Sequence, residues 1–263
     1  RMNIRNEVNL IKDQIISWRR YFHENPELSF KEFNTAKKIN LELKSMGLKP
    51  KTKVGRTGVT VDLKFGEGPV IGFRADMDAL PIQETSGLPF TSKNDGVMHA
   101  CGHDGHIAML LGTAKIMSQK NNQYQGTIRF IFQPAEEGEG GARYMIEDGC
   151  LDGLDEIYGI HLWNYQPFGE VGIKSGPVMA SADMFDITIK GIGGHGAAPQ
   201  GTVDAIIVAS NLIQALQTIV SRNTNPLDST VVSIGKINGG HNFNIIADEV
   251  TLSGTTRAYS EQN

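Results

Sequence analysis

Three of the chain's seven histidines and one of its two cysteines fall within eight positions of "VMHACGHDGHIAML", residues 97–110, from His99 to His106. Cys101 and His103 stand two apart, so they cannot share a helix face. This is not the helical His-x-x-x-His arrangement of many metal-dependent proteases. Both donors require a loop, and Gly102 and Gly105 permit a backbone that lets their side chains converge. Thiolate and imidazole together suit a borderline-soft divalent ion. The bland alternative is a buried thiol beside polar loop histidines.

Two carboxylate pairs bear on that choice. "VIGFRADMD" is an apolar strand pattern ending in Asp76 and Asp78, at the carboxyl end where open α/β sheets place ligand sites. "TIRFIFQPAEEG" does the same with Glu136 and Glu137. Adjacent carboxylates repel, and little is gained by placing them after a buried strand unless a cation lies there. Successive residues in extended chain point in opposite directions. One carboxylate can then bind an ion while its neighbour faces substrate or water. A solvated turn, with Glu139 following, is the alternative for this pair. His161 in "GIHLW" reads either as a satisfied core histidine or as a ligand. All these groups follow strands expected to be neighbours in one sheet, and that shared placement makes a metal site the leading reading. The chemistry expected is metal-assisted amide hydrolysis: the ion acidifies water and polarises a carbonyl, and the free carboxylate moves the proton.

The elements that must position these groups alternate. "NEVNLIKDQIISWRRYF" and "NTAKKINLELKSMGLK" carry apolar residues at helical spacing, the second stopping at Gly47 as a left-handed cap. "TGVTVDLKFGEGPVIGFRADMDAL" reads as two strands about a Gly-rich turn, and "HIAMLLGTAKIMSQ" as a helix with Asp104 placed to cap its first amides. "GGARYMIEDG" predicts a short helix and "EIYGIHLW" a strand. The expected class is α/β, a mostly parallel, helix-covered sheet. Near residue 180 the texture changes. "DMFDITIKG", "VDAIIVASNLIQALQTIVS", "STVVSIGKINGG" and "EVTLSGTTRAYS" predict strand, helix, strand and strand, a small α+β, ferredoxin-like sandwich. The domains are set at 1–178 and 179–263.

Seven segments in order, "HENPELSF", "GFRADMDALP", "MHACGHDGHIAMLLG", "FQPAEEGEGGA", "GIHLWN", "GGHGAAP" and "FNIIADEVTLSGTTRA", resemble the M20 metallopeptidase family, nearest the branch with hippurate hydrolase and the plant auxin-conjugate hydrolases. The resemblance implies a zinc-peptidase-like catalytic domain for two divalent ions, Zn2+ or Mn2+ with Co2+ or Ni2+ as alternatives, and an inserted lid or dimerisation domain. It implies Cys101, His103, Glu137 and His161 as metal ligands, Glu136 as general base, and Asp78 as a support that orients a ligand. It implies that His195 reaches a partner subunit's active site to help hold the oxyanion, and that Asn244 and Arg257 hold the substrate carboxylate. Read from the residues alone, His195 is an exposed loop histidine and Arg257 a strand-face charge. Family members continue past the lid and add a final histidine ligand that this sequence lacks, so the expectation is a fragment.

The remaining numbers narrow partners. With 25 Lys and Arg against 29 Asp and Glu, the net charge of −4 is too mild to predict nucleic acid or an anionic membrane as partner. No uninterrupted apolar run approaches a spanning length. No secretory apolar region opens the chain, and Arg1 ahead of Met2 reads as an expression remnant. Two thiols, Cys101 and Cys150, read as reduced and cytoplasmic, Cys150 as a packed residue. The expected activity is hydrolysis of N-acyl-L-amino acids by a homodimer. The rivals are N-acetyldiaminopimelate deacetylation, carboxypeptidase or dipeptidase activity, a hydrolase with Cys101 as nucleophile, and a non-catalytic binding fragment.

Overall fold

The computed structural model describes residues 3–120 and 124–260, so Arg1, Met2 and the last three residues of "SEQN" lie outside the described residues. Its contacts divide the chain into two compact units, Arg1–Phe168 and Gly169–Asn263.

The first unit runs α1 (Ile4–Glu24), α2 (Phe33–Ser45), β1 (Lys51–Val54), β2 (Gly58–Lys64), β3 (Val70–Asp76), α3 (His103–Ser118), β4 (Thr127–Gln133), α4 (Gly141–Glu147) and β5 (Glu156–Gly159). Its five strands lie in the order β1-β2-β4-β3-β5. The α/β class is as expected, and the sheet is mixed. β3 pairs parallel with β4 and β5, while β2 pairs antiparallel with β1 and β4. The two strands flanking the Gly-rich turn are therefore not partners. β4 inserts between them, because its Phe130, Ile131 and Phe132 are buried on both faces and need a neighbour on each side. Trp18 and Phe22 of α1, Ile39 and Leu43 of α2 and Leu111 of α3 close the core over Val59, Val61, Phe130 and Phe132. Each such side chain contributes about 1.5–3 kcal/mol by leaving water.

Helix ends follow local chemistry. α2 stops where Gly47 takes φ +81°, its N–H bonding Lys44 O at 3.0 Å and the Leu48 N–H bonding Leu43 O at 3.2 Å. α3 starts differently from expectation. Its cap is Gly102, with φ +93° and no side-chain cap bond, and Asp104 lies inside the first turn. The Asp104 carboxylate accepts instead from Arg19 Nε at 2.9 Å and pairs with His23 Nδ1 at 2.8 Å, tying α1 to the start of α3.

The parallel register is what builds a site. Asp76 lies opposite Gln133 and Arg74 opposite Gly159, so β3, β4 and β5 all leave the sheet at one edge. The Asp76–Asp78, Pro134–Glu137 and Ile160–Leu162 segments emerge together there.

The second unit is β6 (Asp183–Lys190), β7 (Gly194–His195), α5 (Ala205–Thr218), β8 (Thr230–Gly239), β9 (Ile245–Ile246) and β10 (Glu249–Ala258). β6, β10 and β8 form an antiparallel sheet, and β7 and β9 a short antiparallel ladder. Ala205 and Ala209 of α5 pack on Val250 and Leu252, with Ile187, Ile189 and Ile234 around them. Asp204 caps α5, accepting from Ile206 N at 2.9 Å. Although no uninterrupted run is long enough, α5 and its π-helical continuation, Ala205–Asn223, reach a mean hydropathy of 1.2, enough by length and composition to cross a membrane. The Ala205–Ala209 face is committed to the sheet.

Candidate metal centre

Each expected donor of the first unit reaches the shared edge by a different route. Gly102 in the left-handed conformation turns the chain so that Cys101 precedes α3 and His103 opens it. Ala135 carries Glu136 and Glu137 out of β4 through a tight turn with φ +50°, a strained value for a residue with a Cβ. Buried Glu32 braces that turn: its Oε1 accepts from Ala135 N at 2.8 Å and its Oε2 from Thr57 Oγ1 at 2.6 Å. His161 lies just beyond β5.

The donors fall into two triads that share His103. Cys101, His103 and His161 offer ligand atoms all within 4.8 Å of one another, and so do His103, Glu136 and Glu137. Cys101 Sγ stands 3.5 Å from His161 Nε2. His103 Nε2 stands 3.7 Å from Glu137 Oε1 and 3.9 Å from Glu136 Oε2. Two donors bound to one tetrahedral ion at about 2.0–2.3 Å sit roughly 3.3–3.8 Å apart. The Cys101–His161 and His103–Glu137 gaps match a shared cation, and the Glu136 gap lies just beyond that range. The hydrogen-bond pattern agrees. His103 Nδ1 donates to the Asp78 carbonyl at 2.8 Å, and His161 Nδ1 donates to the Leu162 carbonyl at 2.6 Å. Both rings thereby turn an Nε2 lone pair inward, as ligating histidines do. His103 Nε2 and Glu137 Oε1 are buried with no hydrogen-bond partner, atoms that a bound cation would satisfy.

Asp78 is the residue expected to orient a ligand. It is fully buried, and its Oδ2 accepts from the Glu137 backbone N–H at 2.9 Å and from Ser29 Oγ at 2.8 Å. Asp78 thus contacts two of the expected donors, Glu137 through its carboxylate and His103 through its backbone carbonyl.

Electrostatics point the same way. Burial alone would lower the proton affinity of His103, but the Asp78 hydrogen bond, Cys101 and Asp76 push the ring up to about 11. Surroundings so rich in negative donors call for positive charge, and a divalent ion supplies it at the same Nε2. Burial and then the Glu137 charge raise Glu136 above the ordinary carboxylate range. Its side chain keeps 41% exposure, which leaves it open to water and substrate.

His106 and Asp76 form a third possible set with His103. Their polar atoms are already spent, since His106 Nδ1 donates to Asp76 Oδ1 at 2.6 Å and Arg74 Nη1 donates to Asp76 Oδ2 at 2.8 Å. Burial works against the Asp76 charge, but the His106 hydrogen bond and the Arg74 charge hold its carboxyl well below the usual range.

In the second unit, His195 and Asn244 are joined, because the Gly196 N–H next to His195 bonds Asn244 O at 2.8 Å. His195 Nδ1 accepts from Ala197 N at 3.0 Å, so its proton is on Nε2. Arg257 lies in the other sheet, on β10, with Nη1 donating to Thr256 O at 2.7 Å. Glu32, Ser29 and His106 were not among the expected site residues. Glu32 follows "HENPELSF" by two positions, and nothing in its local pattern marks it as a brace.

The chain is 48% identical to the Arabidopsis thaliana "IAA-amino acid hydrolase ILR1-like 2" over 94% of its own length and 56% of that protein's. It is 48% identical to the Bacillus subtilis "N-acetyl-L-cysteine deacetylase" over 98% of its length and 62% of the relative's. It thus spans about three-fifths of the curated relatives it matches. The crystal structure of the Bacillus subtilis YXEP protein, described as a dinuclear metal-binding peptidase from the M20 family, superposes with a TM-score of 0.81 at 42% identity, covering 97% of this chain and 66% of that one. The family model described as Peptidase family M20/M25/M40 matches residues 72–260, from within β3 to beyond β10. That span takes in both triads and the second unit's two sheets, and the chain belongs to peptidase family M20/M25/M40.

Proposed function

We propose that this protein is a metal-dependent amidohydrolase that cleaves N-acyl-L-amino acids into a carboxylic acid and an amino acid. The observation that carries the reading is the pair of triads meeting at His103, with both imidazole lone pairs turned inward and Glu136 beside them. Cys101, His103, Glu137 and His161 would hold divalent ions, two per subunit, with Zn2+ or Mn2+ best suited and Co2+ or Ni2+ as alternatives. The bound ions supply positive charge that acidifies water and polarises the amide carbonyl. Glu136 accepts the proton of the attacking water at a carboxylate oxygen and passes it to the departing amine nitrogen. Its raised proton affinity suits it to both halves of that transfer. Asp78 keeps His103 and Glu137 aimed.

In this reading the first unit is catalytic and the second is a lid through which two copies pair. His195, with its Nε2 proton free to donate, stabilises the oxyanion in a partner copy's site. Asn244 and the Arg257 guanidinium hold the substrate carboxylate. The relatives' names span indole-acetyl and acetyl conjugates, so the acyl group is assigned only as a class. Both cysteines are free, which fits a reducing, cytoplasmic setting. Elemental analysis of protein purified without added metal, with an assay on hippurate, N-acetyl amino acids, N-acetyldiaminopimelate and dipeptides, tests the proposal. Two equivalents of a transition metal and chelator-sensitive release of an amino acid are expected; full turnover in excess chelator overturns it.

One observation favours a second reading: Cys101 Sγ at 3.5 Å from His161 Nε2 is also the geometry of a thiol and its base. Under that reading thiol alkylation abolishes activity and chelation leaves it intact.

A further inference from the structure

The run Gly102-His103-Asp104-Gly105-His106 supplies one expected ligand, His103, yet its last two residues are as specifically engaged as the first. His106 is buried and both ring nitrogens are committed. Nδ1 donates to Asp76, and Nε2 accepts the backbone N–H of Leu162 at 2.8 Å. Leu162 directly follows His161, and its carbonyl receives the His161 Nδ1 proton. The Leu162 side chain rests on the same turn of α3. A Cβ added at Gly105 would stand 2.5 Å from Leu162 Cδ1, and one at Gly102 3.5 Å from Leu162 Cβ.

We infer that Gly105 and His106 are positioning residues: together they form the seat on which the His161 segment docks, setting where His161 Nε2 meets Cys101. The inference rests on the metal reading above and deepens it. The His161 segment leaves an edge strand, so its position needs an anchor outside the sheet. The anchor runs Arg74 to Asp76 to His106 to the Leu162 N–H, each link 2.6–2.8 Å long. Because the first two links are made by buried or half-buried charges, the His106 ring has one tautomer and one orientation, and its acceptor points only at Leu162. Gly105 contributes by having no side chain, which lets Leu162 close down until that hydrogen bond forms. His106 is therefore no ligand itself. It acts through His161.

Two substitutions separate this from general damage to the fold. His106→Asn retains an amide donor for Asp76 and deletes the acceptor for Leu162. Gly105→Ala leaves the His106–Asp76 pair intact and lifts Leu162. Chelator-stripped full chain is titrated with Co2+, reading affinity, the thiolate-to-cobalt absorption that reports Cys101, and the visible bands that report coordination. Both variants are expected to bind Co2+ about 10–100-fold more weakly, the usual effect of losing a residue that orients a ligand, with the thiolate band retained. On a His161→Ala background neither change is expected to weaken binding further, because the ligand it positions is gone. Leu162→Ala combined with Gly105→Ala is expected to recover part of the loss. Folded variants with wild-type affinity and spectrum, or losses that persist in full on the His161→Ala background, overturn the inference while leaving the metal reading in place. A wild-type chain that takes up no Co2+ brings down the metal reading and this inference with it, a result distinct from the other two. If His106→Asn does not fold, Gly105→Ala decides the question alone.

Discussion

Glu136 and Glu137 are neighbours in sequence with different surroundings, and the proposal gives them different roles. Glu137 is the less exposed, its N–H held by Asp78 and its Oε1 buried against His103. Glu136 keeps the more open carboxylate. Glu136→Gln is isosteric, so metal content should stay at the wild-type level while kcat falls about a hundred- to ten-thousand-fold, the range for removal of a general base. A single-turnover assay beside elemental analysis reads both, and unchanged kcat removes Glu136 from the role. From sequence alone, one carboxylate of the pair is expected to bind an ion while its neighbour faces substrate or water, because the pair follows a buried strand, and only the resemblance says which is which. The brace beneath the pair was not legible in sequence. Glu32 meets Thr57 and Ala135 across sequence separations of 25 and 103 residues, and only the folded chain brings such partners together.

Between elements, the telling contact is where α1 meets α3 and the loop between β3 and α3. His23 is buried between Asp104 on α3 and Glu84 in that loop, at 2.8 and 3.2 Å, while Arg19 reaches the same Asp104. The Asp104 hydrogen bond, against the opposing effect of burial, raises the His23 proton affinity above its ordinary 6.5. A histidine raised in the folded state contributes stability that is complete below about pH 6.5 and is lost as pH climbs through its folded value. The first unit's thermal midpoint should therefore fall between pH 6.5 and alkaline pH by more in wild type than in His23→Gln; parallel curves would dismiss the network as a pH-linked clamp. Here sequence reading placed Asp104 correctly at the helix start and misjudged its partner. Capping residues and acids that recruit a distant histidine look identical in a local window. Strand pairing was hidden for a similar reason. Apolar runs identified β2, β3 and β4, but β4 between the other two follows from which faces need covering, and no single run contains that information.

At the scale of the whole chain, the candidate donors found among the described residues, Cys101 through His161, belong to the first unit. Ion binding should then stabilise one unit selectively. At an ion concentration about 100 times Kd the expected gain is about 2.7 kcal/mol for a single site. Scanning calorimetry with saturating ion and again with chelator should move the first unit's transition and leave the second's in place; a shift confined to the second would contradict the assignment of donors. The change to alternating strands near residue 180 sets an expected boundary at 178/179, whereas the contacts divide the chain at 168/169. What the second unit does could be read only by resemblance. His195, Asn244 and Arg257 are ordinary exposed or strand-face residues until a site is assigned to them.

The contact between Gly105 and Leu162 reaches beyond this molecule. Two positions 57 residues apart share one small parcel of space, so neither is free to drift by itself. A homologous chain with alanine at the first should carry a trimmed side chain at the second, and one that keeps leucine should keep glycine. Descent with modification would then leave a paired signature at these sites, legible in a family tree without any assay.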